Sequence, residues 1–212
     1  MKTRNIDAYR QLHEERRYGN TAVRMRRFVE PWMQLANPGS VLDYGAGQGG
    51  FVDILDLPSA VVRDSYDPAI PQIAARPERT YDMVVCIDVM EHIEPNEVAD
   101  VLADIATFAP KALFIIDTQP ARATLPDGRN AHTTLEPASW WKRQIEAAFG
   151  HATAVPVFRK GRCAFKTYPS SLGEWVQFSR LLAGEEIAYQ VWRLRGGRFA
   201  DPKDAPSITR SE

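Results

Sequence analysis

Two cysteines, Cys86 and Cys163, are all that the 212 residues contain. Far apart and without a CxxC spacing, they exclude a disulfide-stapled framework and a cysteine metal or redox site, and they suit a reducing compartment. Long apolar runs are missing too: stretches such as Met83 to Ile87 fall far short of the roughly 20 residues that span a bilayer. The opening stretch Met1 to Asp7 has no apolar signal core, so the protein is expected to be soluble and cytoplasmic, with no membrane partner. Nor does one sign of charge dominate, the net charge being −1. Residues 1–36 hold 8 Lys and Arg against 4 Asp and Glu, residues 37–157 hold 8 against 17, and residues 158–212 hold 10 against 6. Nucleic-acid binding normally needs a concentrated basic face. Here Arg16, Arg17, Arg24, Arg26 and Arg27 fall on amphipathic helices and read as a solvated outer face. Repeats and low-complexity segments are absent.

What remains is ordinary globular composition, 44% apolar and 25% charged, in a length that suits one domain. The expected organisation is helices over 1–36, an α/β core over 37–168 and an extension over 169–212. Met25, Phe28, Val29, Trp32, Met33 and Leu35 recur at helical spacing until Pro38-Gly39 stops the run. Residues 40–44 then read as a buried strand, 45–50 as a glycine loop, and 51–55 as the first turns of a helix. Strands follow at 60–66, 81–87 and 112–117, with helices at 96–108 and 139–148. Alternation of this kind predicts a doubly wound, mostly parallel sheet. The runs 152–158 and 162–168, on either side of Arg159-Lys160-Gly161, predict an antiparallel edge hairpin. Leu172, Trp175, Val176, Ser179 and Leu182 suggest another helix; 186–195 reads equally as helix or strand, and 200–212 as a frayed end.

The sharpest local signal is Asp43-Tyr44-Gly45-Ala46-Gly47-Gln48-Gly49-Gly50, between a buried strand and a helix. Glycines there let the backbone turn sharply and approach a ligand closely. Dinucleotide binders use a similar loop, but their acidic residue follows the second strand, whereas here Asp43 ends strand one and Asp67 ends strand two. A nicotinamide-dependent oxidoreductase is therefore the weaker alternative, and a cofactor-binding module without chemistry of its own is another.

At these residues the chain resembles the class I S-adenosylmethionine-dependent methyltransferases, whose first motif runs acid-x-Gly-x-Gly-x-Gly. Asp43, Gly45, Gly47 and Gly49 match it, and Tyr81 to His92 resembles the family's fourth strand with its Asp-Val-Leu-Glu-His ending. The resemblance covers roughly residues 36–160. It implies a Rossmann-like fold, S-adenosylmethionine as cofactor, and cofactor contacts from Asp43, Gly45, Ala46, Gly47, Gly49, Asp67, Pro68, Ile87, Asp88 and Val89, with Asp67 on the ribose hydroxyls. One departure stands out: thirteen residues separate Asp67 from Tyr81, including Pro68, Pro71 and Pro77, too few for helix, strand and helix. The usual third strand is expected to be missing, and adenine recognition to be rebuilt around residues 70–75 or Ile87 and Asp88.

Methyl transfer needs alignment, and a base if the acceptor loses a proton. Candidates belong at the carboxyl ends of the strands, which points to Asp88, Glu91 and His92, to Asp117, Thr118 and Gln119, and to the polar loop 126–132. In one reading His132 or His92 is the base, since imidazole ordinarily titrates near neutrality, with Asp88 beside it. In a second, Asp88, Glu91, His92 and His132 hold Mg²⁺ or Mn²⁺, an arrangement similar to that of the small-RNA 2′-O-methyltransferases. In the third, Glu91 and His92 merely orient the next helix. A small-molecule or sugar hydroxyl is the preferred acceptor, with metal-assisted RNA 2′-O-methylation or N-methylation as alternatives. Trp140 and Trp141 read as core before stacking platform. Tyr18 and Arg10 are candidate contacts to the cofactor's carboxylate, and Trp175, Phe178, Tyr189 and Trp192 suggest a homodimer contact.

Overall fold

The computed structural model describes residues 3–15 and 21–197; the stretch 200–212, expected to fray, lies outside them. In chain order the elements are α1 (Thr3–Glu15), α2 (Thr21–Ala36), β1 (Ser40–Tyr44), β2 (Val62–Tyr66), β3 (Met83–Ile87), α3 (Val98–Phe108), β4 (Ala112–Asp117), α4 (Ala138–Phe149), β5 (Thr153–Ala154), β6 (Arg162–Lys166) and α5 (Leu172–Leu194). The sheet runs β2-β1-β3-β4-β6-β5. Its first four strands are parallel, and β6 and β5 complete it antiparallel.

The central strands are apolar on both faces, as a sheet covered on both sides requires. Val84 and Cys86 of β3, with Phe114 and Ile116 of β4, point into one core, closed by Leu102, Ile105 and Phe108 of α3 and Trp141 and Ile145 of α4. Met83, Val85 and Ile87, with Leu113 and Ile115, point the other way onto Phe28, Val29, Trp32 and Met33 of α2 and Phe178 and Leu182 of α5. Helix α2 ends where Asn37 turns left-handed (φ 43) and its amide donates to the Met33 carbonyl at 2.9 Å. Helix α5 starts on a capping box in which the Ser171 hydroxyl accepts from the Glu174 amide while the Glu174 carboxylate accepts from the Ser171 amide.

Two expectations need correction, the helix after the glycine loop and the first arm of the edge hairpin. The helix after the glycine loop is a single 3₁₀ turn, Val52–Ile54, because Pro58 follows within a turn. Its place on the sheet is taken by α5, which runs as one helix through the ambiguous stretch 186–195. The hairpin's first arm forms only two ladder residues, Thr153 and Ala154. The expected loss of the usual third strand is borne out: one 3₁₀ turn, Pro71–Ile73, stands between β2 and β3. Arg76 straps this segment to α3, reaching Asp104 Oδ1 at 2.9 Å and stacking on the Phe108 ring.

Three aromatic residues of α5 pack against α2. Phe178 stacks on Trp32 with centroids 4.1 Å apart, Trp175 meets Trp32 edge-on, and Tyr189 receives the guanidinium of Arg27, which pairs with Glu186 at 2.7 Å. Among the side chains α5 turns outward are five large aliphatic ones, Leu172, Val176, Ile187, Val191 and Leu194, beside polar ones such as Gln177, Arg180 and Gln190. Among the described residues no helix is long and apolar enough to cross a membrane.

Candidate functional site

A cavity of about 550 Å³ opens at the carboxyl ends of β1, β2, β3 and β4, a size ordinary for a small-molecule site. Of the residues the sequence singled out, Asp43, Gly45, Ala46, Gly47, Asp67, Pro68, Ile87, Asp88, Val89, His92 and His132 all line it. Gly49 does not; at φ 76 its amide closes the loop onto the Ala46 carbonyl at 2.9 Å. Glu91 is fully buried and is not part of the cavity wall. Arg10 pairs with Asp7 at 3.1 Å, away from the wall, and Tyr18 lies outside the described residues. Trp141 is core and Trp140 packs edge-on against it.

The glycine loop is held against the end of β2. The amides of Gly45 and Ala46 donate to the Tyr66 carbonyl at 2.8 and 3.1 Å. Asp67 Oδ2 accepts from the Gly47 amide at 2.8 Å and Oδ1 from the Ala69 amide at 2.9 Å. These amides fix the carboxylate's orientation, and a carboxylate accepts about four hydrogen bonds in all. Beneath the loop Asp43 is 2% exposed and its Oδ2 has no hydrogen-bond partner among the described residues. Burial, with Asp67 and Asp53 nearby, pushes its carboxyl up to about 7. An orphaned carboxylate oxygen under a left-handed glycine loop is the setting a cationic, hydroxyl-bearing ligand would complete, so these residues fit S-adenosylmethionine.

Beside this lobe lies a wall of charge. Asp88, at φ 55, directly follows β3. Its Oδ1 is bound by Arg162 Nη1, while Arg162 Nη2 lies 3.2 Å from Asp117 Oδ2. Asp117 and Arg162 are directly opposed in the β4–β6 ladder. Burial raises the Asp88 pKa and Arg162 opposes that rise. Arg162 was invisible to sequence reading, because only the antiparallel register brings it opposite Asp117.

Three side chains could hold a cation. Ligand atoms of Glu91, His92 and His132 lie within 4.8 Å of one another. Glu91 Oε1 accepts the Asp117 amide at 3.0 Å, Oε2 has no hydrogen-bond partner among the described residues, and burial together with Asp88 pushes its pKa well up. His92 Nδ1 faces the Ala131 carbonyl at 2.8 Å and His132 Nδ1 the Gln119 carbonyl at 2.5 Å. A carbonyl only accepts, so each Nδ1 carries the proton, and in the neutral ring Nε2 is the acceptor. Asp88, expected as a fourth ligand, is instead engaged by Arg162. Tyr9 of α1 covers the cluster, its hydroxyl donating to the Ala131 carbonyl at 2.6 Å and the His92 carbonyl at 3.1 Å.

Fold and loop together define a Rossmann-like cofactor-binding enzyme of the methyltransferase type. The methyltransferase domain family matches residues 12–177, and the chain belongs to it, as a class I S-adenosylmethionine-dependent methyltransferase. No curated protein sequence matches. Among solved structures, the fold is similar to that of the complex described as DhpI-SAM-HEP, with a TM-score of 0.54 at 14% identity over 77% of this chain and 94% of that one. It is also similar to the mitomycin 7-O-methyltransferase MmcR, at 0.53 and 12% over 69% and 53%. An O-methyltransferase family protein from Burkholderia thailandensis gives 0.49 and 14% over 70% and 58%. The chain thus spans little more than half the length of the latter two.

Proposed function

We propose that the protein methylates a hydroxyl of a small molecule or sugar, with Asp43, the loop 45–47 and Asp67 holding the cofactor and His132 accepting the hydroxyl proton. S-adenosylmethionine supplies, when bound, a methyl carbon activated by a sulfonium. The protein's share is then alignment and deprotonation. The observation that carries this reading is the His132 ring, lining the cavity with Nδ1 fixed as donor to Gln119, which turns an accepting Nε2 to the task. Radiolabelled methyl transfer to fractionated lysate tests it: label in the small-molecule fraction supports it, and label confined to RNA or protein overturns it. His132→Ala is expected to lower kcat about 10²- to 10⁴-fold while leaving S-adenosylhomocysteine affinity in place.

The Glu91, His92 and His132 cluster favours a second reading, in which a divalent cation draws the acceptor hydroxyl into place. The pinned Nδ1 atoms support it, since metal-bound histidines are ordinarily oriented through their other nitrogen. Metal analysis of the purified protein and activity after chelation, with Mn²⁺ or Mg²⁺ added back, distinguish the two readings. Activity insensitive to chelation leaves His132 as the base.

A further inference from the structure

Three arginines line the cavity, and they are not equivalent. Arg162 is engaged by Asp88 and Asp117, and Arg24 belongs to α2. Arg122 lies on the loop that carries His132; it is exposed, and no carboxylate pairs with it among the described residues.

That loop is built around one side chain. Asn130 Oδ1 accepts the amides of Ala121 at 3.0 Å and of His132 at 2.9 Å, and Asn130 Nδ2 donates back to the Ala121 carbonyl at 2.9 Å. Because both amides meet the same oxygen, they lie within about 6 Å of each other. Ala123 and Ala131 are tied at 3.1 Å and bury against Leu12 of α1. Arg122 and His132 therefore leave adjacent, fixed points of backbone. The cavity also has apolar lining, from Ala121, Ala123 and, on α1, Ile6 and Tyr9, while the His92 ring lies 4.8 Å from that of His132. Of the acids lining the cavity, Asp43, Asp67, Asp88 and Asp117 sit at the strand ends, where the cationic cofactor is read to bind, and Glu97 sits at the start of α3.

Resting on the small-molecule reading above, we infer that Arg122 binds an anionic group of the acceptor, a carboxylate or phosphate carried a few atoms from the hydroxyl presented to His132. Substrates are small hydroxylated anions with an apolar body. Asn130 is the positioning residue that couples the two recognition points.

The test uses the full chain saturated with S-adenosylhomocysteine, its binding first established by calorimetry. Matched probes are titrated by saturation-transfer NMR: 4-hydroxybenzoate against 4-hydroxybenzamide, and a hydroxyalkyl phosphate against the corresponding diol. The anionic member of a pair is expected to bind at least tenfold more tightly, and Arg122→Ala to abolish that preference while Arg122→Lys keeps part of it, in line with a hydrogen bond to a charged group. Which pair shows the preference identifies carboxylate or phosphate as the anion. Equal binding of charged and neutral members, no binding of either, or a preference that survives Arg122→Ala overturns the inference. Failure of S-adenosylhomocysteine to bind overturns the cofactor reading beneath it, which is a separate outcome.

Discussion

Gly45 and Val89 meet just beyond the carboxyl ends of the neighbouring strands β1 and β3. A Cβ built on Gly45 would lie 2.4 Å from Val89 Cγ2, at a residue whose φ is 76. Gly45→Ala therefore combines a left-handed penalty with a steric clash and is expected to destabilise the protein by about 2–4 kcal/mol, read as a fall in Tm, with loss of S-adenosylhomocysteine binding. Adding Val89→Ala should restore the steric part only. An unchanged Tm in the single variant would refute the close approach.

Asp67 is held by the Gly47 and Ala69 amides at 2.8 and 2.9 Å. If it also holds the ribose diol, Asp67→Ala should weaken cofactor binding by about 1.5–3 kcal/mol in calorimetry. An unchanged affinity would leave Asp67 with only the loop to support.

Arg162 separates two carboxylates, and all three side chains are less than one-fifth exposed. Replacing it by Met strands both acids in a poorly solvated wall and should cost about 3 kcal/mol by urea unfolding. Combining Arg162→Met with Asp88→Asn and Asp117→Asn should recover most of that loss. No recovery would mean the arginine acts through packing alone.

Asp43 makes the ligand-free protein sensitive to pH. Its carboxyl rises from 3.8 to about 7 on folding, chiefly through burial, so the folded state is the better proton binder between those values. Its contribution to stability is fully present below about pH 4 and lost as pH climbs through about 7. Relative to wild type, Asp43→Asn should therefore gain Tm on going from pH 4 to pH 8. A difference independent of pH would contradict the shift.

Most of the sheet was legible because its strands are short apolar runs bounded by Gly, Pro and Asp, and because parallel strands buried on both faces leave no polar alternation to confuse the reading. The glycine loop and the missing third strand were legible for a related reason: both rest on residues whose backbone preferences are strong. What escaped was whatever depends on partners distant in sequence. Arg162 looks like any strand residue until β6 is placed against β4. Arg122 looks like a loop charge until Asn130 is seen to tie its neighbour to His132. The second half of α5 was ambiguous because its half-buried aromatics, Tyr189 and Trp192, and its outward aliphatics leave no single apolar stripe to give a period.

The same long helix has a consequence for how the chain is made. With only a 3₁₀ turn left after the glycine loop, the face formed by Met83, Val85, Ile87, Leu113 and Ile115 is completed by Phe178 and Leu182 of α5. During synthesis that face has no full cover until residue 182 has left the ribosome, even though the glycine loop and every strand emerged earlier. The nascent protein thus spends the interval with an apolar sheet surface open to chaperones or to other chains, and it commits to its final shape late.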